Sequence, residues 1–251
     1  MSEREDFADV QRRYFEEAEV ERFRWTTSAP GFSETEDELL APVAAALEDP
    51  CLEIGCGEGN NLLRFGGRRC VGVDLFPRKL VFAKREIPAC RFAAADGAKL
   101  PFRDGVFQSV FVRDLLHHVR EPRAVLAEVA RVLRPGGRLC LLEPNGRNPL
   151  VWVQSRLVPA EAGARDFSAE SVLAFFDGLP FTGATLSQRQ PLPLRRAILH
   201  HEHGLPSLGR NPAIRRFLAL CERATGALLP RSRWTYVQII AERATPPAGA
   251  G

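Results

Sequence analysis

The stretch from Leu52 to Gly59 reads L-E-I-G-C-G-E-G, a short apolar strand that leads directly into a glycine-rich turn. Glycine lets the backbone turn sharply and lets a ligand lie against the main chain, where the amides at the start of the next helix can donate hydrogen bonds. A glycine turn alone is weak evidence, because such turns are common. Here the turn joins a strand to a helix, and that context predicts a ligand site.

The chain around this turn alternates short apolar runs with longer amphipathic stretches, as far as about Glu143. This alternation is typical of βαβ units and predicts an α/β fold with a parallel sheet. A proline and two glycines after Arg134 end the last of the helices. The predicted strands are Cys51–Ile54, Arg69–Val73, Arg91–Ala94, Val106–Val112 and Gly137–Glu143, and the predicted helices between them are Gly59–Phe65, Pro77–Glu86 and Pro122–Leu133.

The segments outside this core are predicted to add a helical cap and two further strands. Residues 1–50 would form an N-terminal helical cap rich in aromatic side chains, and residues 51–251 the main domain. Insertions at residues 144–167 and 189–231 would complete the cap. The predicted elements here are the helices Phe7–Phe23, Glu34–Leu47, Ser168–Phe176 and Pro212–Leu228 and the strands Ala184–Gln188 and Trp234–Ala241.

Composition and charge limit the classes of function. The chain has 251 residues, 45% of them hydrophobic, which suits one large α/β domain. The net charge is +3 and the arginines are scattered among acidic residues, whereas a nucleic-acid surface normally needs clustered positive charge, so no nucleic acid is expected as a partner. No run of about 18 apolar residues occurs, and residues 1–7 lack the features of a signal peptide. A cytoplasmic location is therefore expected.

Cysteine and histidine residues raise the question of a metal site. The six cysteines include no C-x-x-C pair, and five lie on or beside predicted strands, so we expect reduced core residues rather than disulfides or metal ligands. The run from His200 to His203 reads H-H-E-H, but it has no further carboxylate or cysteine nearby and is better explained as a polar loop. No metal is predicted.

Two acidic residues at strand ends indicate a nucleoside site. Asp74 ends the strand that follows the glycine turn, where a carboxylate would accept both hydroxyls of a ribose; its alternative role is to cap the helix entered at Pro77. Asp96 follows the third strand and precedes Gly97. Acids or glycine turns at the carboxyl ends of three consecutive strands predict a nucleoside pocket where the strand order reverses.

Taken in order, these motifs resemble the class I S-adenosylmethionine-dependent methyltransferases, especially the small-molecule branch of the quinone-biosynthesis (type 11) enzymes. The resemblance covers about residues 51–143 and rests on LEIGCGEG, GVD, ADGAKLPFRDGVF, DLLHHV and EVARVLRPGGRL. It implies a Rossmann-like, doubly wound, seven-stranded, mainly parallel sheet, with the last strand antiparallel and inserted between its neighbours. Gln108 stands where the family usually has an aspartate, at a structural position. A nicotinamide dehydrogenase is the weaker alternative, because the spacing is G-x-G-x-G rather than G-x-G-x-x-G.

The resemblance also implies which residues bind the cofactor, S-adenosyl-L-methionine. Gly55 and Gly57 would make room for its methionine part, Glu53 would help to hold its ammonium group, and Asp74 would bind the ribose hydroxyls. The other expected cofactor-binding residues are Leu75 beside the ribose site, Asp96 and the backbone near Gly97 for the adenine, and the backbone of Arg113 beside the methionine moiety.

The acceptor side is less determined by the sequence. Methyl transfer from a sulfonium is an in-line displacement, so the protein mainly aligns the acceptor and excludes water. A general base is needed only when the acceptor must lose a proton, and His117 and His118 are the candidates, although the same pair is an ordinary helix start in many similar sequences. Three polar residues at and after the fifth strand are expected to orient the acceptor: Glu143, Asn145 and Asn148.

The apolar stretch from Pro149 to Val158 has two interpretations, a packed helix over the pocket or a surface that meets lipid. Both favour a small, hydrophobic or lipid-linked acceptor, with peripheral membrane contact in the second case. Two other functions stay open: a methyltransferase that acts on a protein or nucleic acid, and a non-catalytic protein that binds the cofactor. The sequence does not determine the oligomeric state or which atom is methylated.

Overall fold

Seven strands form one mixed sheet in the structure, a computed structural model that describes residues 7–66 and 69–245. The strands are β1 (Cys51–Ile54), β2 (Cys70–Asp74), β3 (Arg91–Ala94), β4 (Phe107–Arg113), β5 (Leu133–Pro144), β6 (Phe181–Arg189) and β7 (Tyr236–Arg243). Their order is β3-β2-β1-β4-β5-β7-β6. The first five strands run parallel, and β7 runs antiparallel to both β5 and β6. The predicted doubly wound sheet, with its last strand inserted, is confirmed.

Helices cover both faces of this sheet. They are α1 (Phe7–Phe15), α2 (Val20–Ser28), α3 (Phe32–Ala46), α4 (Asn60–Arg64), α5 (Pro77–Glu86), α6 (Pro122–Val132), α7 (Pro149–Leu157), α8 (Ala169–Ala174), α9 (Leu194–Ile198) and α10 (Pro212–Leu228). Single turns of 3₁₀ helix occupy Leu116–His118, Pro206–Arg210 and Arg231–Arg233, and a longer one occupies Pro159–Asp166. Proline begins α5, α6, α7 and α10, where its fixed φ angle and missing N–H cost nothing.

The alternation of side chains along each central strand builds two cores. On β1, Leu52 and Ile54 pack against α6, whereas Cys51 joins the other face beneath α3. Both faces of the central strands are therefore dry, which is why they read as continuous apolar runs rather than as alternating patterns. The N-terminal segment is part of this architecture, because Leu39 and Leu40 of α3 are only 2% exposed within the second core.

The structure corrects two predicted element boundaries. The single helix predicted over Phe7–Phe23 is wrong: the chain breaks after Phe15 and restarts at Val20. The break lets the backbone N–H of Glu19 donate to the Glu58 carboxylate, 3.1 Å away. Strand β5 begins at Leu133, four residues before the predicted start, because a register shift opposite Phe107 accommodates the proline and glycines.

The cysteines also depart in part from the expectation of reduced thiols. Cys51 and Cys70 face each other in the register of β1 and β2, with Cα atoms 4.6 Å apart, and they form a disulfide. That Cα separation lies within the range that a disulfide can span. The free cysteines are Cys56, Cys90 and Cys140, which are buried, and the half-buried Cys221.

Within the described ranges, no helix has both the length and the apolar character needed to cross a membrane. Residues 1–6, which contributed to the signal-peptide argument, lie outside the described part of the chain.

Candidate active site

The glycine turn leaves open space beside its own backbone. Gly55, Gly57 and Gly59 have φ angles of +75°, +51° and +85°, a region that side chains other than glycine rarely adopt. The N–H groups of Gly55 and Cys56 both donate to the carbonyl of Val73, which fixes the turn against the end of β2. A side chain added at Gly57 would meet no atom within 4 Å. The backbone there is therefore accessible to a ligand.

Asp74 holds this turn from the end of β2. Its Oδ2 accepts the N–H of Gly57 at 2.8 Å, and its Oδ1 accepts the N–H of Phe76 at 2.9 Å. The residue is 9% exposed, and burial raises the pKa of its carboxyl group. Each carboxylate oxygen can accept a second hydrogen bond, so the geometry also suits the two hydroxyls of a ribose.

The other residues predicted to bind the nucleoside lie near Asp74, at the same edge of the sheet. Leu75 is 59% exposed, and Asp96 is also exposed, with its Oδ1 accepting the N–H of Ala98 at 2.9 Å. Asp74 lies opposite Ala94 in the register of β2 and β3, which brings the two acid-bearing strand ends together. The four residues predicted to bind the nucleoside thus lie at one open edge of the sheet: Asp74, Leu75, Asp96 and Gly97.

Glu53 lies buried behind the glycine turn. It is 1% exposed; its Oε1 accepts from the Asn61 side chain at 2.6 Å, and its Oε2 has no hydrogen-bond partner. Burial raises the pKa of this carboxyl group to about 8. A buried acceptor without a partner is costly, so this oxygen provides a site for a donor such as an ammonium group. The residue therefore fits the methionine end of the expected cofactor.

The side chain of Arg113 forms a buried network that the sequence analysis missed. Its Nη1 donates to Oε2 of Glu36 at 2.7 Å and to Oδ1 of Asn61 at 3.1 Å. Arg196 of α9 lies 3.4 Å from the other Glu36 oxygen and donates to the Tyr236 hydroxyl. Burial would raise the pKa of Glu36, but Arg113 and Arg196 outweigh it and lower the pKa to about 2. The network ties the N-terminal cap and the second insertion to the ends of β4 and β7.

A sequence signal for Glu36 did exist. It stands three, four and seven residues before Leu39, Leu40 and Val43, so it lies on the apolar face of α3. An acid on a face that packs into the core requires a buried cation as partner. The spacing could have flagged Glu36, but it could not have named Arg113, 77 residues away.

A second ion pair fastens the cap to the glycine turn. Glu58 is 2% exposed, and its Oε2 accepts from Arg22 of α2 at 2.9 Å. Lys79 lies 3.5 Å from the other oxygen. Burial would raise the pKa of Glu58, but Arg22 and Lys79 outweigh it and lower the pKa. The methionine end of the site is thus covered by α2 and α3, whereas the nucleoside end is open.

The two predicted bases have different surroundings. Nδ1 of His117 lies 2.7 Å from Oε2 of Glu143, whose Oε1 accepts the N–H groups of Leu115 and Leu116. Burial would lower the pKa of His117, but the hydrogen bond to Glu143 and the charge of Glu161, 3.5 Å from Nε2, raise it to about 10. Its imidazole is therefore protonated at neutral pH, which favours a positioning role over the predicted general base.

His118 is instead neutral. Burial and the neighbouring His117 lower its pKa to about 3, and its ring contacts the edge of Phe15 in α1 at a centroid distance of 4.9 Å. A neutral imidazole can accept a proton, although such a low pKa makes it a weak base. The catalytic assignment of this residue stays a prediction.

The residues predicted to orient the acceptor are all fully buried and occupied by the protein itself. The Asn145 side chain donates to the carbonyls of Ser232 and Trp234. The Asn148 side chain caps α7 and donates to the carbonyls of Pro191 and Arg233. With Glu143 bound to His117, this geometry does not support the predicted acceptor contacts. The three residues instead hold the insertions onto the end of β5.

Comparison with known proteins identifies the central part of the chain. Residues 52–141 match a family model described as a methyltransferase domain, of type 11. This central part of the chain is a class I methyltransferase domain. Demethylmenaquinone methyltransferase of Thermus thermophilus is 34% identical over 145 residues, which are 49% of this chain and 66% of that protein. The chain spans 30% to 66% of the length of the curated relatives that it matches.

Solved structures show the same fold as this chain. An S-adenosylmethionine-dependent methyltransferase from Thermotoga maritima is similar with a TM-score of 0.66 and 18% identity, covering 96% of this chain and 100% of that one. The [4+2]-cyclase SpnF is similar with a TM-score of 0.61 and 19% identity, covering 86% of this chain and 83% of that one. Since a cyclase shares the fold, the fold alone does not determine the reaction.

Proposed function

We propose that this chain is an S-adenosylmethionine-dependent methyltransferase that acts on a small, hydrophobic or lipid-linked acceptor. The observation that carries the proposal is the juxtaposition of an unpartnered Glu53 oxygen, the open backbone at Gly57 and the Asp74 carboxylate at the ends of two adjacent parallel strands. These groups match the ammonium, methionine and ribose parts of one ligand. When bound, that cofactor would supply a methyl group activated on a sulfonium.

In this proposal, different residues of the chain contact the two ends of the cofactor. At the open end, Asp74 accepts the ribose hydroxyls beside Leu75, while Asp96 borders the adenine. At the covered end, Glu53 accepts the ammonium group, and the pair of Arg113 with Glu36 holds α3 over the reaction site. The cap excludes water, and alignment of the acceptor supplies most of the remaining catalysis. A cytoplasmic location remains part of the proposal.

The apolar character of the acceptor is supported by the surface of the first insertion. Trp152, Val153 and Leu157 of α7 are 46%, 44% and 76% exposed. Together with Arg147 and Arg233, the first two border an open cleft of about 660 Å³. Apolar side chains with arginines at their rim suit a lipid-linked molecule or the surface of an anionic membrane.

Calorimetric titration with S-adenosylhomocysteine tests the cofactor site. We expect micromolar binding by the wild-type protein and a loss of at least tenfold in affinity for Asp74→Asn. Asp177→Ala is the control, since Asp177 is exposed and its hydrogen bonds to Ala174 and Arg123 use backbone atoms. A folded wild-type protein that does not bind, or equal affinity in Asp74→Asn, would contradict the proposal.

A non-catalytic cofactor-binding protein is the second candidate, and the occupied side chains of Asn145 and Asn148 favour it. Transfer of a labelled methyl group to quinone-like and other apolar acceptors separates the two. For the methyltransferase we expect Leu157→Ser to reduce transfer to an acceptor held in vesicles, whereas Val81→Ser, at a 74% exposed site on α5, leaves it unchanged. Cofactor binding without transfer to any acceptor class would support the second candidate.

A further inference from the structure

Two adjacent histidines and a glutamate from the first insertion converge beyond the end of β4. One ring nitrogen of His117, one of His118 and a carboxylate oxygen of Glu161 all lie within 4.8 Å of one another. Nε2 of His117 lies 3.5 Å from Oε2 of Glu161. The histidines belong to the 3₁₀ turn Leu116–His118, and Glu161 belongs to the 3₁₀ helix Pro159–Asp166.

Both ring nitrogens of this cluster are buried without a hydrogen-bond partner. The His117 side chain is 1% exposed and its Nε2 makes no hydrogen bond; the same holds for the buried Nδ1 of His118. An unsatisfied buried polar atom costs about 1–3 kcal/mol. A ligand bound between the histidines and the Glu161 carboxylate would satisfy these nitrogens.

The surroundings hold the three groups in place. Glu143 binds Nδ1 of His117, the orientation in which a histidine presents Nε2 to a metal while a carboxylate fixes its other nitrogen. A hydrogen bond to the backbone of Ala160 restrains His118. A side chain at Gly163 would collide with the His117 carbonyl oxygen, so only glycine permits this close approach of the Glu161 segment.

We propose that His117, His118 and Glu161 bind a divalent transition-metal ion, with Glu143 as a positioning residue. Two imidazoles and one carboxylate suit zinc and similar ions, whereas magnesium and calcium prefer oxygen ligands alone. The metal ion replaces the proton that His117 otherwise carries, and the carboxylates of Glu143 and Glu161 balance the two positive charges of the ion. Ligands of a tetrahedral zinc site are about 3.4 Å apart, so binding draws the widest pair closer by about 1 Å. Three protein ligands leave a fourth position free for an oxygen atom of a bound molecule.

The other two candidate clusters in the described part of the chain are weaker. Cys51 and Cys70 are joined in a disulfide and offer no thiolate beside Asp49. The cluster of His200, Glu202 and His203 is solvated, with the last two side chains 58% and 77% exposed. This exposed cluster serves as an internal control for the weak metal binding that surface histidines give in any protein.

Titration of chelator-stripped protein with Co²⁺, followed by visible absorption, tests the site without any methyl-transfer assay. We expect one equivalent of Co²⁺ with the spectrum of a four- or five-coordinate ion, displaced by Zn²⁺. Glu161→Gln and His118→Ala should weaken binding by more than 100-fold, Glu143→Gln should weaken it about 10- to 100-fold, and His203→Ala should not change it. Circular dichroism confirms that each variant is folded, and Glu161→Gln, at a residue with a partly exposed side chain, is the least disruptive.

Absence of tight Co²⁺ binding by the wild-type protein would overturn the proposal. Binding that survives Glu161→Gln but is lost in His203→Ala would assign the metal to the exposed cluster instead. The result is distinguishable from failure of the proposed function, because binding of S-adenosylhomocysteine is measured separately and involves none of these three side chains.

Discussion

Removal of the Glu36 carboxylate should destabilise the protein, because it breaks a buried ion pair. Glu36 is 3% exposed, and its loss leaves the 8% exposed Arg113 and the neighbouring Arg196 with less negative charge nearby. Breaking a buried ion pair from one side costs about 3–5 kcal/mol. Arg113 keeps its bonds to Asn61 and Asp114, so we expect the lower end of that range, about 3 kcal/mol, for Glu36→Gln.

The pKa of Glu36 leads to a similar figure. A fall from the ordinary value of 4.5 to about 2 corresponds to about 3 kcal/mol, because each tenfold change in the acid constant is worth about 1.4 kcal/mol. The folded-state pKa is the lower one, so this stability is fully present above pH 4.5 and is lost as the pH falls towards 2. The acid limb of the stability profile should therefore flatten in the variant.

Urea and thermal unfolding, followed by circular dichroism, measure both effects. For a chain of this size, about 3 kcal/mol lowers the melting temperature by about 6–12 °C. Glu34→Gln is the matched control, since Glu34 lies on the same helix, pairs with Arg215 and is 47% exposed, and exposed pairs contribute less than about 1 kcal/mol. A loss below about 1 kcal/mol in Glu36→Gln, or equal losses in both variants, would refute the reasoning.

Three further substitutions test the cofactor site and the attachment of the helix α2 that covers it. Glu53→Gln should lower the affinity for S-adenosylhomocysteine about tenfold in calorimetry. Because burial raises the pKa of Glu53 to about 8, the wild-type protein should lose unfolding free energy between pH 4.5 and pH 8, and an equal loss in Glu53→Gln would argue against this origin. Gly57→Ala should abolish binding of S-adenosylhomocysteine. Gly178→Ala is its control, because Gly178 has a φ angle of +73° and equally free space, so the substitution should carry the same strain of about 1–2 kcal/mol but keep the affinity. Equal losses of affinity in the two variants would exclude a ligand beside Gly57. Arg22→Ala leaves Glu58 attached to the start of α2 only through the N–H of Glu19, so hydrogen exchange in α2 should speed up at least tenfold while exchange in β1 stays unchanged.

Much of the fold followed from the sequence because it depends on local and periodic information. The alternation of apolar strands and amphipathic helices predicted the sheet, and its strand boundaries held within a few residues for β1 to β4. The glycine turn and Asp74 were also identifiable, since a positive φ angle and a strand-end carboxylate are properties of single positions. These features need no knowledge of what packs against them.

The partners of the buried polar groups were decided only by the tertiary structure. Nothing in the sequence pairs Arg113 with Glu36, His117 with Glu161 or Asn148 with the carbonyl of Arg233. Each pair joins an end of the sheet to the cap or to an insertion without periodic pattern, so its formation depends on how those segments pack. Burial then selects the partners, because a polar group removed from water must be satisfied by whatever the packing brings within reach. The sequence thus determined the cofactor-side framework of this methyltransferase fold, and packing decided how its cap is held and which side chains remain free to bind.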